Sequence, residues 1–104
     1  RFLKTAEADG LLVAAASSPE LTTRRAAVFA MAQRDVMAVF AGLEHLVKED
    51  ENVELRRSAI RILSRGTESS SEVTELLSWV SQHDADPEVK KAAEAALAPR
   101  GAKR

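Results

Sequence analysis

The chain has no cysteine among its 104 residues, which removes disulfides, thiolate metal sites and cysteine nucleophiles together. A cysteine-free chain is stable in either redox environment, so the compartment stays open, with the cytoplasm as the default expectation. Aromatic residues are scarce: three Phe, one Trp and no Tyr, 4% of the chain. A β-sandwich would draw on Val, Ile, Thr and Tyr, whereas the abundant alanine here suits helices packed through small side chains. No charge of one sign dominates, since 15 basic residues face 16 acidic ones for a net charge of −1. No global field therefore draws the chain to nucleic acid or to anionic lipid. The longest apolar runs, such as residues 11–16, fall far short of a membrane span, so no membrane partner is expected. The four glycines form no phosphate-cradling loop, and no nucleophile–base–acid set stands out. The chain opens at Arg1 rather than Met, as expected of a fragment or a processed product.

What is present is helix, punctuated by turn signals. Residues 2–16 carry apolar side chains at helical spacing, with Gly10 as a weak point. Ser18-Pro19-Glu20 supplies an N-cap, a first-turn proline and an acidic residue for a second helix to about Gln33. In that helix Ala27, Val28, Phe29, Ala30 and Met31 are available for packing. Asp35 caps a third helix to about Lys48, and Met31 and Met37 on either side of the intervening turn are expected to fill the core. Asn52 caps a fourth helix, closed by Gly66 as a C′ glycine. Ser69 and Glu72 have the spacing of a capping box for a fifth. Asp86-Pro87 opens a sixth, which Pro99 stops, leaving residues 100–104 as an unanchored basic tail. Loops this short make consecutive helices antiparallel neighbours.

The helices repeat in pairs. Val89-Lys90-Lys91-Ala92-Ala93 corresponds to Leu55-Arg56-Arg57-Ser58-Ala59 and to Thr23-Arg24-Arg25-Ala26-Ala27, at offsets of 34 and 32 residues. The preceding helices align at the same offsets, through Leu11, Leu43 and Leu77 and through Ala14, Leu46 and Val80. Each hairpin is too thin to bury its own apolar stripe, so stacking must close the core. The position one turn beyond the anchor reads Val28, Ile60 and then Glu94. Ile60 is thus expected to be buried and Glu94 to face solvent, as on a capping repeat.

The segment Asp86-Pro-Glu-Val-Lys-Lys-Ala-Ala-Glu-Ala-Ala-Leu97 resembles the second helix of HEAT repeats, in particular the short phycobilisome-lyase-like subtype. The second copy keeps Val53-Glu-Leu-Arg-Arg-Ser-Ala-Ile but has Glu51-Asn52 in place of Asp-Pro. The first has Thr23 at the aliphatic position and two extra residues between its turn and Arg24. The resemblance covers nearly the whole chain. It implies an all-α fold: a short right-handed α-α superhelix of three antiparallel helix pairs, with repeats of about 1–33, 34–66 and 67–99 in one domain. It also implies that the second helices line the concave side, and it says almost nothing about activity.

On that side Arg24, Arg25, Arg56, Arg57, Lys90 and Lys91 form a ladder of cations, extended in the middle repeat by Arg61 and Arg65. Read functionally, they donate to phosphates or acidic side chains. Read structurally, one of each pair bonds acidic residues in neighbouring turns or repeats and the other is solvated. Trp79 is either an exposed anchor for a partner or packing beneath the 81–86 loop. The run Glu49-Asp50-Glu51 lacks the ligand spacing of a calcium loop and is expected to be solvated. His45 with Glu49 offers two metal ligands and no third, and the His-Glu pairs of HEAT-type di-iron hydroxylases are missing. HEAT-like DNA glycosylases rely on several aromatics and a basic groove that this composition does not supply. The reading is therefore a non-enzymatic module without cofactor or metal, binding another protein or peptide through Arg24, Arg56, Arg57, Arg61, Lys90 and Trp79. The alternatives are a nucleic-acid or phosphate-binding ladder, which the charge balance disfavours, or an architectural or regulatory segment of a larger repeat protein, which bare apolar surface around Phe2 and Leu3 would favour.

Overall fold

The computed structural model describes residues 5–99; the expectations for Phe2, Leu3 and the basic tail lie outside the described residues. These residues form six α-helices and no strand. The helices are α1 (Thr5–Ala15), α2 (Leu21–Met31), α3 (Phe40–Glu49), α4 (Val53–Leu63), α5 (Ser71–His83) and α6 (Pro87–Leu97). A 3₁₀ turn, Val36–Val39, leads into α3, and another, Ser64–Gly66, closes α4. Within hairpins, α1 packs on α2, α3 on α4 and α5 on α6; between hairpins, α1, α3 and α5 make one layer and α2, α4 and α6 the other. The slab measures 49 × 27 × 19 Å, and its shortest dimension is about two helix diameters of roughly 10 Å each.

Local chemistry sets the helix starts. Asp86 accepts from the amides of Glu88 (2.8 Å) and Val89 (3.2 Å), with Pro87 at the first helical position. Asn52 accepts from Leu55 N at 3.1 Å. At α5 the cap is Ser70, whose hydroxyl receives Val73 N at 3.3 Å, one residue after the expected Ser69. The helix α2 starts at Leu21 because the Ser18 hydroxyl takes Glu20 N (3.1 Å) in a tight local turn instead of capping a helix at Pro19. The two extra residues of the first repeat are absorbed there.

The core runs between the layers through Met31, Leu43, Leu46, Leu63, Leu77, Val80 and Val89, all fully enclosed. Ile60 is 3% exposed and Glu94 is exposed, as the Val28–Ile60–Glu94 column requires. Beyond these shifted caps, the expectations for Leu11, Met37 and Gly66 fail for geometric reasons. Leu11, aligned in sequence with Leu43 and Leu77, is 59% exposed. The inward apolar residues of α1 are Leu12, Val13 and Ala15, with Ala16 just beyond its end, so Leu12 stands where Leu43 does and the outer helix slips by one residue. One residue is a 100° rotation, enough to turn a leucine from core to solvent. Met37 is exposed because a 3₁₀ turn repeats every three residues and aims Val36 and Val39 inward together. Gly66 has no left-handed backbone; it is small because a Cβ there would meet Val73 at 3.2 Å and Val36 at 3.4 Å.

Gly10 is the converse case. It lies exposed within α1, and an added Cβ meets nothing within 4 Å. Replacing Gly10 with alanine is expected to raise stability by about 0.5–1 kcal/mol, read as a higher urea midpoint at unchanged m-value.

Candidate functional site

The paired cations at the start of α2 and α4 divide their labour. Arg24 donates through Nε to Asp50 at 2.7 Å and through Nη1 to the Ser18 carbonyl at 3.1 Å. One repeat on, Arg56 donates to both carboxylate oxygens of Asp84 (2.8 and 3.0 Å) and to the Asp50 carbonyl at 2.9 Å. Each aspartate also accepts the amide two residues ahead, Asn52 N at 2.8 Å and Asp86 N at 2.9 Å. Asp50 is therefore a link: its side chain receives the arginine of the repeat before it, and its carbonyl receives the arginine of its own. The carboxylates are almost completely enclosed, with side chains 1% and 3% exposed. Buried charge persists only when paired and hydrogen-bonded in this way. The acidic run 49–51 is thus not a uniformly solvated loop, since Asp50 is buried. A third buried acid, Asp9, holds Arg34 at 2.6 Å and ties α1 to the segment following α2.

The partners of those arginines face the other way. Arg25, Arg57 and Lys91 are exposed, one per repeat, and take part in no ion pair among the described residues. One turn further along the same face stand Phe29 on α2 and Arg61 on α4, then Gln33 and Arg65. Phe29 is 76% exposed, although its type suggested packing. Arg65 is occupied, donating to the carbonyls of Ala32 (2.8 Å) and Arg34 (3.2 Å) and so tying the 3₁₀ turn after α4 to the segment following α2. Arg61 is not occupied and stands between two open grooves. One, of about 500 Å³ between α2 and α4, has Arg25, Val28, Phe29 and Ile62 among its walls. The other, of about 560 Å³ between α4 and α6, has Arg57, Ile60 and the alanines of α6.

The six residues expected at a contact surface therefore fall into four settings. Arg57 and Arg61 line the α4–α6 groove together. Arg24 and Arg56 are half-buried in the ladder between repeats. Lys90, at the equivalent third position, is half-buried and without an ion pair among the described residues. Trp79 belongs to the other layer, stacked on His83 with ring centroids 4.6 Å apart and with Lys48 Nζ 5.3 Å from its centroid. It is 37% exposed and shares a small cleft with Arg56. His83 also bonds the Trp79 carbonyl at 2.9 Å. Among the described residues no three His, Asp or Glu side chains gather as metal ligands, and no helix is long and apolar enough to cross a membrane.

Sequence reasoning reads Phe29 as packing, keeps Arg25 in the cation ladder but outside the contact set, and does not single out Asp50 and Asp84 from the acids around them. A signal for the aspartates exists: Asp50 and Asp84 each precede the first cation of their repeat, Arg56 and Lys90, by six residues. Phe29 has the weaker signal of sharing a column with Arg61 and Ala95, outside every core register.

Comparison with protein families matches the description "HEAT repeats" over residues 8–98. No curated protein and no solved structure matches the chain. The match takes in all of α2 to α6 and most of α1, and it agrees with the stacked antiparallel hairpins: the chain belongs to the HEAT-repeat family.

Proposed function

We propose that the chain is a non-enzymatic protein–protein interaction scaffold whose binding surface is the outward face of α2, α4 and α6. HEAT repeats commonly mediate contacts between proteins. The observation that carries the reading is the split of the cation pairs. Arg24 and Arg56 are consumed in holding repeats together, while Arg25, Arg57 and Arg61 stand exposed without ion pairs beside two grooves. Arginine is suited to this, because its planar fork pairs with carboxylates and stacks on apolar side chains. Arg57 and Arg61 are the direct contacts in this reading, with Lys90 extending them, and Arg24 and Arg56 are positioning residues. Trp79, with its half-covered ring, is a separate contact on the outer layer. The mixed charge of the chain keeps nucleic acid as the lesser reading.

The test is affinity capture with the wild type and an Arg25→Glu/Arg57→Glu/Arg61→Glu variant, both checked by circular dichroism. Exposed substitutions of this kind change stability by about 0.5 kcal/mol or less each, so the variant is expected to fold and to lose the partners held by the wild type. Recovery of the same partners by both proteins would remove this face from consideration.

A further inference from the structure

We propose that the occupant of this face is an acidic peptide segment of a partner protein, anchored by one apolar side chain in the α2–α4 groove. This rests on the scaffold reading above and names its ligand chemistry.

The groove itself supplies the argument. Its wall carries Val28 and Ile62 from the buried core and Phe29, whose ring is 76% exposed. An aromatic so bare beside a hollow of about 500 Å³ offers an apolar partner a surface that the fold leaves uncovered. Arg61 borders that hollow and also the next, where Arg57 joins it. Arg57 and Arg61 are four residues apart on one helix, so their guanidinium groups stand on neighbouring turns of the same face. A chain crossing from α2 to α4 would therefore meet Phe29 and the apolar wall first, with Arg25 beside them, and two further unpaired guanidinium groups next. That order fits a leucine or similar side chain followed by a short run of carboxylates, with charge complementarity fixing the register.

The same surface selects against a polyanion. Glu54 lines the α2–α4 groove without an ion pair among the described residues, and the α4–α6 groove is walled on its far side by alanines and Pro99, with Lys90 and Lys91 of α6 outside that lining. Nucleic acid binding needs a continuous track of phosphate contacts, and Phe29 alone offers a stacking surface to a single base beside a track that Glu54 interrupts. A peptide with its charge concentrated next to one apolar residue gains from both features.

The experiment is fluorescence anisotropy on the full chain with a fluorescein-labelled peptide of one leucine followed by a run of glutamates. Controls are the same peptide with glycine for leucine and a single-stranded oligonucleotide of equal charge. Saturable binding of the leucine peptide is expected, weakened roughly tenfold by Phe29→Ala and roughly tenfold by Arg61→Glu, with both variants unchanged in helical circular dichroism. Equal binding of the glycine peptide or of the oligonucleotide would reduce the face to a diffuse electrostatic surface and overturn the inference. So would a dimer in sedimentation that Phe29→Ala abolishes, since the groove would then belong to a second copy. Absence of peptide binding, with partner capture still dependent on Arg57 and Arg61, would defeat the acidic segment while leaving the scaffold reading intact. Loss of both dependences would defeat both.

Discussion

Replacing Asp84 with alanine is expected to destabilise the protein by about 3–5 kcal/mol, the range for breaking a buried ion pair by removing one partner. Total stabilities of small domains are about 5–15 kcal/mol, so the variant would sit near the edge of folding. The size follows from what the carboxylate holds. It takes two hydrogen bonds from Arg56, at 2.8 and 3.0 Å, and the amide of Asp86 at 2.9 Å. Its removal strands a guanidinium that is only 12% exposed and frees the turn that leads into α6. Urea unfolding followed by circular dichroism reads the loss, and a value under about 1 kcal/mol would place the pair with ordinary surface ion pairs. Replacing both partners separates the contributions. An Arg56→Met/Asp84→Leu chain no longer carries an unpaired buried charge and is expected to regain most of the loss. A residue of about 1 kcal/mol should remain, for the Asp86 amide without its acceptor.

The same ladder explains why the functional face and the stabilising contacts are interleaved along one helix turn. Arg56 and Arg57 are adjacent in sequence and rotated about 100° from each other. One reaches across the repeat boundary and the other reaches outward. Charge reversal at Arg56 would therefore disturb the stack as well as any partner, which is why the capture variant uses Arg25 in its place. The ladder also stops short of a third rung: Lys90 occupies the arginine position, but no described acid pairs with it.

The recurring phrase from Val89, Leu55 and Thr23 carries the fold, because hairpin stacking follows from local pattern and from caps such as Asp86 and Asn52, which act within three residues. The site is less legible because its logic is tertiary. Glu49, Asp50 and Glu51 are chemically alike in sequence, and only Asp50 meets an arginine arriving from 26 residues away. Nothing local tells Arg24 from Arg25; their roles diverge only once the next repeat is stacked beside them. Phe29 misleads in the opposite sense, since an aromatic at helical spacing reads as core until the helix is rotated into place. The repeat offset suffers similarly in α1, where the turn at Ser18 and Pro19 changes the distance between outer and inner helices.

That slip gives the second large effect. Leu11, Leu43 and Leu77 hold the same position by alignment, yet they are 59%, 0% and 0% exposed. Leu43→Ala and Leu77→Ala are each expected to cost about 2–5 kcal/mol, the sum of lost transfer free energy and an incompletely collapsed cavity. Leu43 should lie toward the upper end, because α3 is held on both sides, by α1 and α5, and has less freedom to close the gap. Leu11→Ala should change stability by about 0.5 kcal/mol or less, as at an exposed position away from any cap or core contact. Urea midpoints of the three variants, measured side by side, decide the register. A loss of about 2 kcal/mol or more at Leu11 would mean that this leucine is inside. The unbroken 32-residue offset would then hold for the outer helix as well, and Leu12 would be the residue turned to solvent.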